Sequence, residues 1–333
     1  METADGRLKL GMKKYVIHIP DEKAAEFALI PILGSPAAAF FAGALGAGDI
    51  VGFYAPAAAA GDAIARDTNL RPLGKDEFEA LCGEAEVIVP RGYIPGSSET
   101  ARLNYVSAAD RARTAMALKR SINAGHMSRG VFIVDPESAY IGPLVTIESG
   151  AAVWPGNILE GRTSVGAETE LGAGNRIKDS VIGAGCFIQY TVITDSRVGD
   201  GVRIGPFCHI RPGSDISGGV KIGDFVEVKN SALGRGTKVP HLSYVGDSDV
   251  GERVNFGCGC VTVNYDGKNK ERTKVGDGVF IGCNANLIAP VRVGDGGYIA
   301  AGSTITDDVP GGGFAIARAR QRNKEGWTPP WER

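Results

Sequence analysis

Several things are scarce in this sequence, and each scarcity removes a class of function. No long run of one charge sign occurs, and the formal net charge is −2, so the electrostatic footprint of a nucleic-acid binder is missing. No window approaches about 18 consecutive apolar residues, which removes a membrane-spanning helix. The N-terminus lacks the charged, apolar, then small pattern of a secretory signal, and with it the expectation is a cytoplasmic protein. Cysteines stand at 82, 186, 208, 258, 260 and 283 with no CxxC pair, which reads as free thiols in a reducing compartment. Aromatics make up only 7%, and no P-loop is present. Gly43, Gly46 and Gly48 in GALGAG follow a helix-like run rather than a strand, which argues against a nucleotide loop.

What is abundant is glycine, 48 residues without a collagen-type triplet, and it accompanies a six-residue beat. Aliphatics fall at Ile141, Ile147, Val153, Leu159, Val165, Leu171 and Ile177, and again at Val198, Ile204, Ile210, Ile216, Ile222 and Val228. The beat slips by one at Leu233 and at Val250, continues at Phe256, and returns at Val275, Ile281, Leu287, Val293, Ile299 and Ile305. The residue after the aliphatic is often Gly, as in VG165, LG171, IG204 and IG222. A short strand with one inward aliphatic, followed by a corner needing a small residue, cannot bury its apolar face alone and must stack into a solenoid. Period six is that of the parallel β-helix, and residues 141–310 hold about nine three-sided coils. The stretch VNYDGKNKERTK, 263–274, has no beat and reads as a polar loop ejected from the coil, where function is commonly added.

Ahead of the repeat, YVIHI (15–19), DIVGFYA (49–55) and EVIVP (86–90) read as strands, while 24–30, 36–47 and 75–84 read as helices. This alternation predicts a small α/β unit. Ser107 is placed to cap a helix over 108–125, ending near Gly125.

The stretch from RPGSDISGGVKIGDFVEVKN through KVPHLSYVGDSDVGERVNFGCGCVTVNYDGKNKERT (211–273) resembles a known bacterial enzyme family. That family is the bifunctional glucosamine-1-phosphate N-acetyltransferase/N-acetylglucosamine-1-phosphate uridyltransferase, and the likeness is to its acetyltransferase half. The resemblance extends through VFIGCNANLIAPVRVGDGGYIAAGSTIT to ARARQRNKEGW, and back through HMSRGVFIVDPESAYIG. It implies a mainly β chain: a left-handed parallel β-helix of hexapeptide repeats over 131–310, a linker helix over 106–130 and a C-terminal arm over 311–333. Residues 1–105 form a small α/β domain with no likeness to the family's nucleotide loop. That segment is expected to be a shortened or degenerate nucleotidyltransferase-like remnant without uridyltransferase activity.

Acetylating a sugar amine requires loss of an ammonium proton, a polarised thioester and a held attack geometry. Of His18, His126, His209 and His241, only the last two lie in the repeat, and the resemblance gives His241 the role of base, with Glu227 orienting it. It implies Arg211, Lys229 and Lys270 as cations for a sugar phosphate, with Tyr244 and Asn255 as further contacts. For acetyl-CoA as co-substrate it implies Cys258, Asn264, Tyr265, Cys283, Ala301 and Arg318. The thiols at 258 and 283 replace residues that are usually small or Ser in the family. No metal is expected: Cys258-x-Cys260 lacks a completing His pair. The family assembles its site between subunits of a homotrimer, which places Arg318 in another protomer's pocket than His241.

The expected reaction makes N-acetylglucosamine 1-phosphate for UDP-N-acetylglucosamine and cell-wall precursors. Two alternatives stand beside it. One is acyl transfer to another amino sugar phosphate or nucleotide sugar, the other a non-catalytic trimeric sugar-nucleotide-binding subunit.

Overall fold

The computed structural model describes residues 15–18, 31–32, 35–36, 50–54, 72–81, 86–88 and 108–332. It falls into two compact units, Met1–Gly201 and Val202–Arg333.

In the first unit, Tyr15–His18 is the central strand of a three-stranded parallel sheet, flanked by Ile50–Tyr54 and Glu86–Ile88. All three are strands that the sequence pattern marks. The segment Lys75–Leu81 is helical. Of the expected helix 36–47 only Pro36 is described, and it belongs to the two-residue strand Ser35–Pro36 paired with Pro31–Ile32 rather than to a helix; 24–30 and the rest lie outside the described residues. A second helix spans Ala108–Ser128. Gly125 does not end it. The stop is Gly130, at φ 88°, where Gly130 N–H donates to Met127 O and Val131 N–H to His126 O. Those two bonds form a Schellman closure, which satisfies the last carbonyls only with a left-handed residue at its centre. Lys119 and Asn123 of this helix are buried against the first coil: Lys119 pairs with Glu137, and Asn123 donates to Pro136 O and Ala139 O.

The rest of each unit is parallel β-solenoid. In the first, four strands stack on each of three faces, from Phe132–Ile133 to Arg197–Val198. In the second, the three faces hold seven, six and five strands, from Arg203–Ile204 to Phe314–Ala315. The strands amount to about ten coils rather than nine. The first of these strands is Phe132–Ile133, which the beat does not show because seven residues, including the turn Asp135–Ser138, lie between Ile133 and Ile141 instead of five.

Every aliphatic of the beat is buried. The one inward position that is not aliphatic or aromatic in the run after Phe256 is Thr262, 1% exposed. Its hydroxyl accepts from Gly246 N–H at 2.8 Å and donates to Gly246 O at 3.1 Å, so the polar atom is satisfied without water.

Two different constraints shape the corners. The glycine directly after an inward aliphatic is required by space: a Cβ on Gly223 would lie 1.9 Å from Pro240 O in the next coil, and one on Gly257 2.4 Å from Cys283 N. Positive φ falls three residues after the inward position, at Phe225 (56°), Leu242 (46°), Gly259 (75°), Asn284 (54°) and Gly302 (70°). Where the beat shortens to five, the left-handed residue comes one place earlier, as at Asn230 (46°) and Asp247 (47°). A shorter corner thus accounts for the slips at Leu233 and Val250.

Gly223→Ala is expected to force the two coils apart, costing about 1–3 kcal/mol or more; chemical denaturation of the variant against wild type measures it.

Candidate active site

All site residues implied by the sequence lie in the second unit. Its geometry starts from the corner between two of the three sheets. The residue before each left-handed corner residue points outward, and the backbone stacks these positions coil on coil. Leu242 N–H donates to Asp224 O at 3.0 Å, Gly259 N–H to His241 O at 3.4 Å, Asn284 N–H to Cys258 O at 2.8 Å and Gly302 N–H to Cys283 O at 2.8 Å. Asp224, His241, Cys258, Cys283 and Ala301 therefore form one column, two residues after successive inward positions Ile222, Val239, Phe256, Ile281 and Ile299. Four members are implied site residues. The fifth, Asp224, is one that the sequence reading missed.

Asp224 and His241 are register partners on adjacent parallel strands. The Asp224 carboxylate lies 2.5 Å from His241 Nδ1. This contact corrects the expectation for Glu227, whose carboxylate is bound instead by Arg211 Nη1 at 2.7 Å. The reason is register. Glu227 sits opposite Tyr244 and His209, on the sheet beyond the corner, while Asp224 sits opposite His241. The hydrogen bond from His241 holds the Asp224 carboxyl below the usual carboxylate range, and the bond to Glu227 raises the Arg211 guanidinium.

Around the corner, Lys229, Asn230 and Asn264 converge on Asp247, a carboxylate only 5% exposed that the sequence reading also missed. Asp247 Oδ2 is 3.6 Å from Lys229 Nζ and accepts from Asn264 Nδ2, while its Oδ1 accepts from Asn230 Nδ2 at 2.6 Å. Burial pushes the Asp247 carboxyl up, but the bonds from Asn230 and Asn264 and the Lys229 charge outweigh it, leaving a net depression. The Tyr244 hydroxyl is 3.4 Å from Asn264 Nδ2. The Tyr244 ring folds over Gly246, where a Cβ would meet the phenol oxygen at 2.3 Å, so Gly246 gives the ring its place.

The loop leaves the solenoid between Val261–Val263 and Thr273–Val275. Tyr265 bridges Lys270 in antiparallel fashion, and Asp266 closes the tip by accepting from Lys268 N–H at 2.7 Å and Asn269 N–H at 2.5 Å. Tyr265 and Lys270 are both exposed on this tip. At the loop's far end Arg272 pairs with Asp249 and donates to Asn230 O. Asn255 stands apart from the corner column, on the flat face of its sheet between Lys238 and Phe280. Arg318 lies beside Gly302, with its Cδ 3.8 Å from where a Cβ would be. Cys258 and Cys260 face opposite ways: Cys258 is half-buried at the surface, Cys260 points inward, and burial raises its thiol to about 11. Among the described residues no cluster of three or more His, Cys, Asp or Glu has the makings of a metal site. No described helix is long and apolar enough to cross a membrane.

The lowered carboxyl of Asp247 makes a pH prediction. An ionised Asp247 stabilises the fold above the unfolded carboxylate value of about 3.9, and this contribution is lost as pH falls through the lower folded value. Asp247→Asn is therefore expected to melt well below wild type at pH 7, with the gap narrowing toward pH 3 in paired thermal melts.

Comparison with known proteins agrees with this arrangement of coils. Residues 163–258 match the GlmU-like C-terminal hexapeptide family, and residues 272–307 the bacterial transferase hexapeptide family of six repeats. The bifunctional protein GlmU of Thermoanaerobacter pseudethanolicus is 57% identical over 210 residues, covering 63% of this chain and 46% of the relative. That of Caldanaerobacter subterraneus subsp. tengcongensis is 53% identical with the same coverage. The GlmU of an Exiguobacterium strain is 46% identical over 249 residues, 75% of this chain and 55% of the relative. The chain thus spans about half the length of the relatives it matches. Over its β-helical part, this chain is similar to the C-terminal hexapeptide-repeat part of the GlmU bifunctional proteins.

Proposed function

We propose that the protein transfers acetyl from acetyl-CoA to the amine of glucosamine 1-phosphate, giving N-acetylglucosamine 1-phosphate for UDP-N-acetylglucosamine and cell-wall precursors. The observation that carries this reading is the Asp224–His241 pair, set in one column with Cys258, Cys283 and Ala301. With Asp224 on Nδ1, the ring keeps its proton there and presents the Nε2 lone pair outward. Nε2 takes a proton from the sugar ammonium as the amine attacks the thioester carbonyl; the carbon–sulfur bond breaks and coenzyme A leaves as the thiol. Such a direct transfer needs no covalent enzyme intermediate.

The sugar phosphate is held by Arg211, Lys229 and Lys270, with Tyr244 and Asn255 contacting the sugar. Arg211 commits one arm to Glu227, and its guanidinium has further N–H donors for phosphate. Lys229 is fixed by Asp247 rather than swinging free, so little side-chain entropy is lost when it meets an anion. Acetyl-CoA lies along positions 258, 283 and 301 above the base, with Asn264, Tyr265 and Arg318 at its edges. The reading includes a homotrimer, in which a neighbour's residues share the exposed column.

His241→Ala is expected to lower kcat by about 10²–10⁴-fold in an assay of thiol release from acetyl-CoA dependent on glucosamine 1-phosphate, with the melting temperature retained. Full activity in that variant overturns the base assignment. Asp224→Ala is expected to lower kcat roughly 10–100-fold with KM for both substrates little changed, because it frees the ring to rotate and to exchange tautomers.

A further inference from the structure

The described cysteines divide sharply by orientation. Cys186, Cys208 and Cys260 are buried, and each thiol is aimed at a carbonyl of the next coil: Gly199 O at 3.1 Å, Gly223 O at 2.7 Å and Gly282 O at 3.2 Å. Cys258 and Cys283 face outward, one half-buried and the other exposed. They are neighbours in the corner column, joined through Asn284 N–H on Cys258 O at 2.8 Å. Each precedes a left-handed residue, Gly259 at φ 75° and Asn284 at φ 54°, so the two backbones follow the same path and the two Cβ atoms point the same way. Neighbouring strands lie about 4.8 Å apart, inside the roughly 4.4–6.8 Å Cα separation that a disulfide spans. One coil below Cys258 stands the His241 imidazole.

We propose that Cys258 and Cys283 form a two-thiol modification site that a peroxide closes into a disulfide, and that the closed form excludes acetyl-CoA from the column above His241. The second half rests on the acetyltransferase reading, the first does not. The chemistry balances without a further reactant. The exposed Cys283, as thiolate, attacks one peroxide oxygen, breaking the O–O bond and giving a sulfenic acid and hydroxide. The Cys258 thiolate then attacks that sulfur and expels a second hydroxide. The two hydroxides take up the two thiol protons as two waters, and the two electrons lost by the sulfurs reduce the peroxide. The inward thiols take no part: each is buried and hydrogen-bonded, and Cys260 is further held in its protonated form by burial. A sulfur–sulfur bridge across two rungs fills the space in which the thioester has to lie against those rungs.

The test treats the full chain with hydrogen peroxide, then reads intact mass, non-reducing peptide maps and thiol release from acetyl-CoA. Expected are the loss of two hydrogens, a linked peptide pair carrying Cys258 and Cys283, and acetyl transfer that falls in proportion to the linked fraction and returns with dithiothreitol. Cys258→Ala and Cys283→Ser, whatever their own rates, are expected to give no link and no dithiothreitol-reversible loss. Oxidation that stops at separate sulfinic acids, that links other cysteines, or that leaves both thiols intact overturns the site. A link formed with transfer unchanged overturns the exclusion of acetyl-CoA. A link formed in a protein whose reduced form never consumes the thioester leaves the thiol site standing and defeats the acetyltransferase reading.

Discussion

The architecture depends on how closely one coil can approach the next. Where a glycine follows the inward residue, as at Gly223 against Pro240 O and at Gly257 against Cys283 N, the chain runs almost against the backbone of the neighbouring coil. Those contacts admit no side chain and hold the coils close and in register. Asp224 stands one residue beyond the first of them, opposite His241. The column of outward positions is a product of the packing beneath it, and the chemistry placed on it inherits the spacing of the strands.

A second theme is that two cations of the site are already partnered. Arg211 leans on Glu227, and Lys229 on the buried Asp247, which also gathers Asn230 and Asn264. These carboxylates lower the local positive potential but hold the long side chains in place, so an arriving anion meets donors with less freedom left to lose. Asp247 couples three stretches of chain that the sequence separates: the strand of Lys229, the corner after Gly246 and the root of the loop at Asn264.

The solenoid and its loop were legible because one period governs the inward aliphatics and lapses over 263–274. The outward residues at 241, 258, 283 and 301 were named from the resemblance, and counting alone does not single them out. What escaped was set by contacts that counting does not see. The first coil was hidden by the extra residues between Ile133 and Ile141. Gly125 looked like a helix stop, but any glycine can sit inside a helix, and only the bonds to Gly130 and Val131 mark the true end. Glu227 was expected to lie close enough to orient His241, and Asp224 drew no notice. Stacking distances of 17 residues between Asp224 and His241 would have singled out the right carboxylate. Asp247 gave no signal at all, since a lone Asp after Gly reads as a turn former until its three partners are seen around it.

The outward corner position carries no share of the core, so its occupant is free to vary while the coils beneath it stay as they are. Pro206, Asp224, His241, Cys258, Cys283 and Ala301 already show how unlike the tenants of this one slot can be. The scaffold therefore behaves as a ruler: a chosen functional group written into any rung appears at a known distance from the groups on the rungs above and below. New chemistries can be composed along that edge one substitution at a time, without refolding the interior.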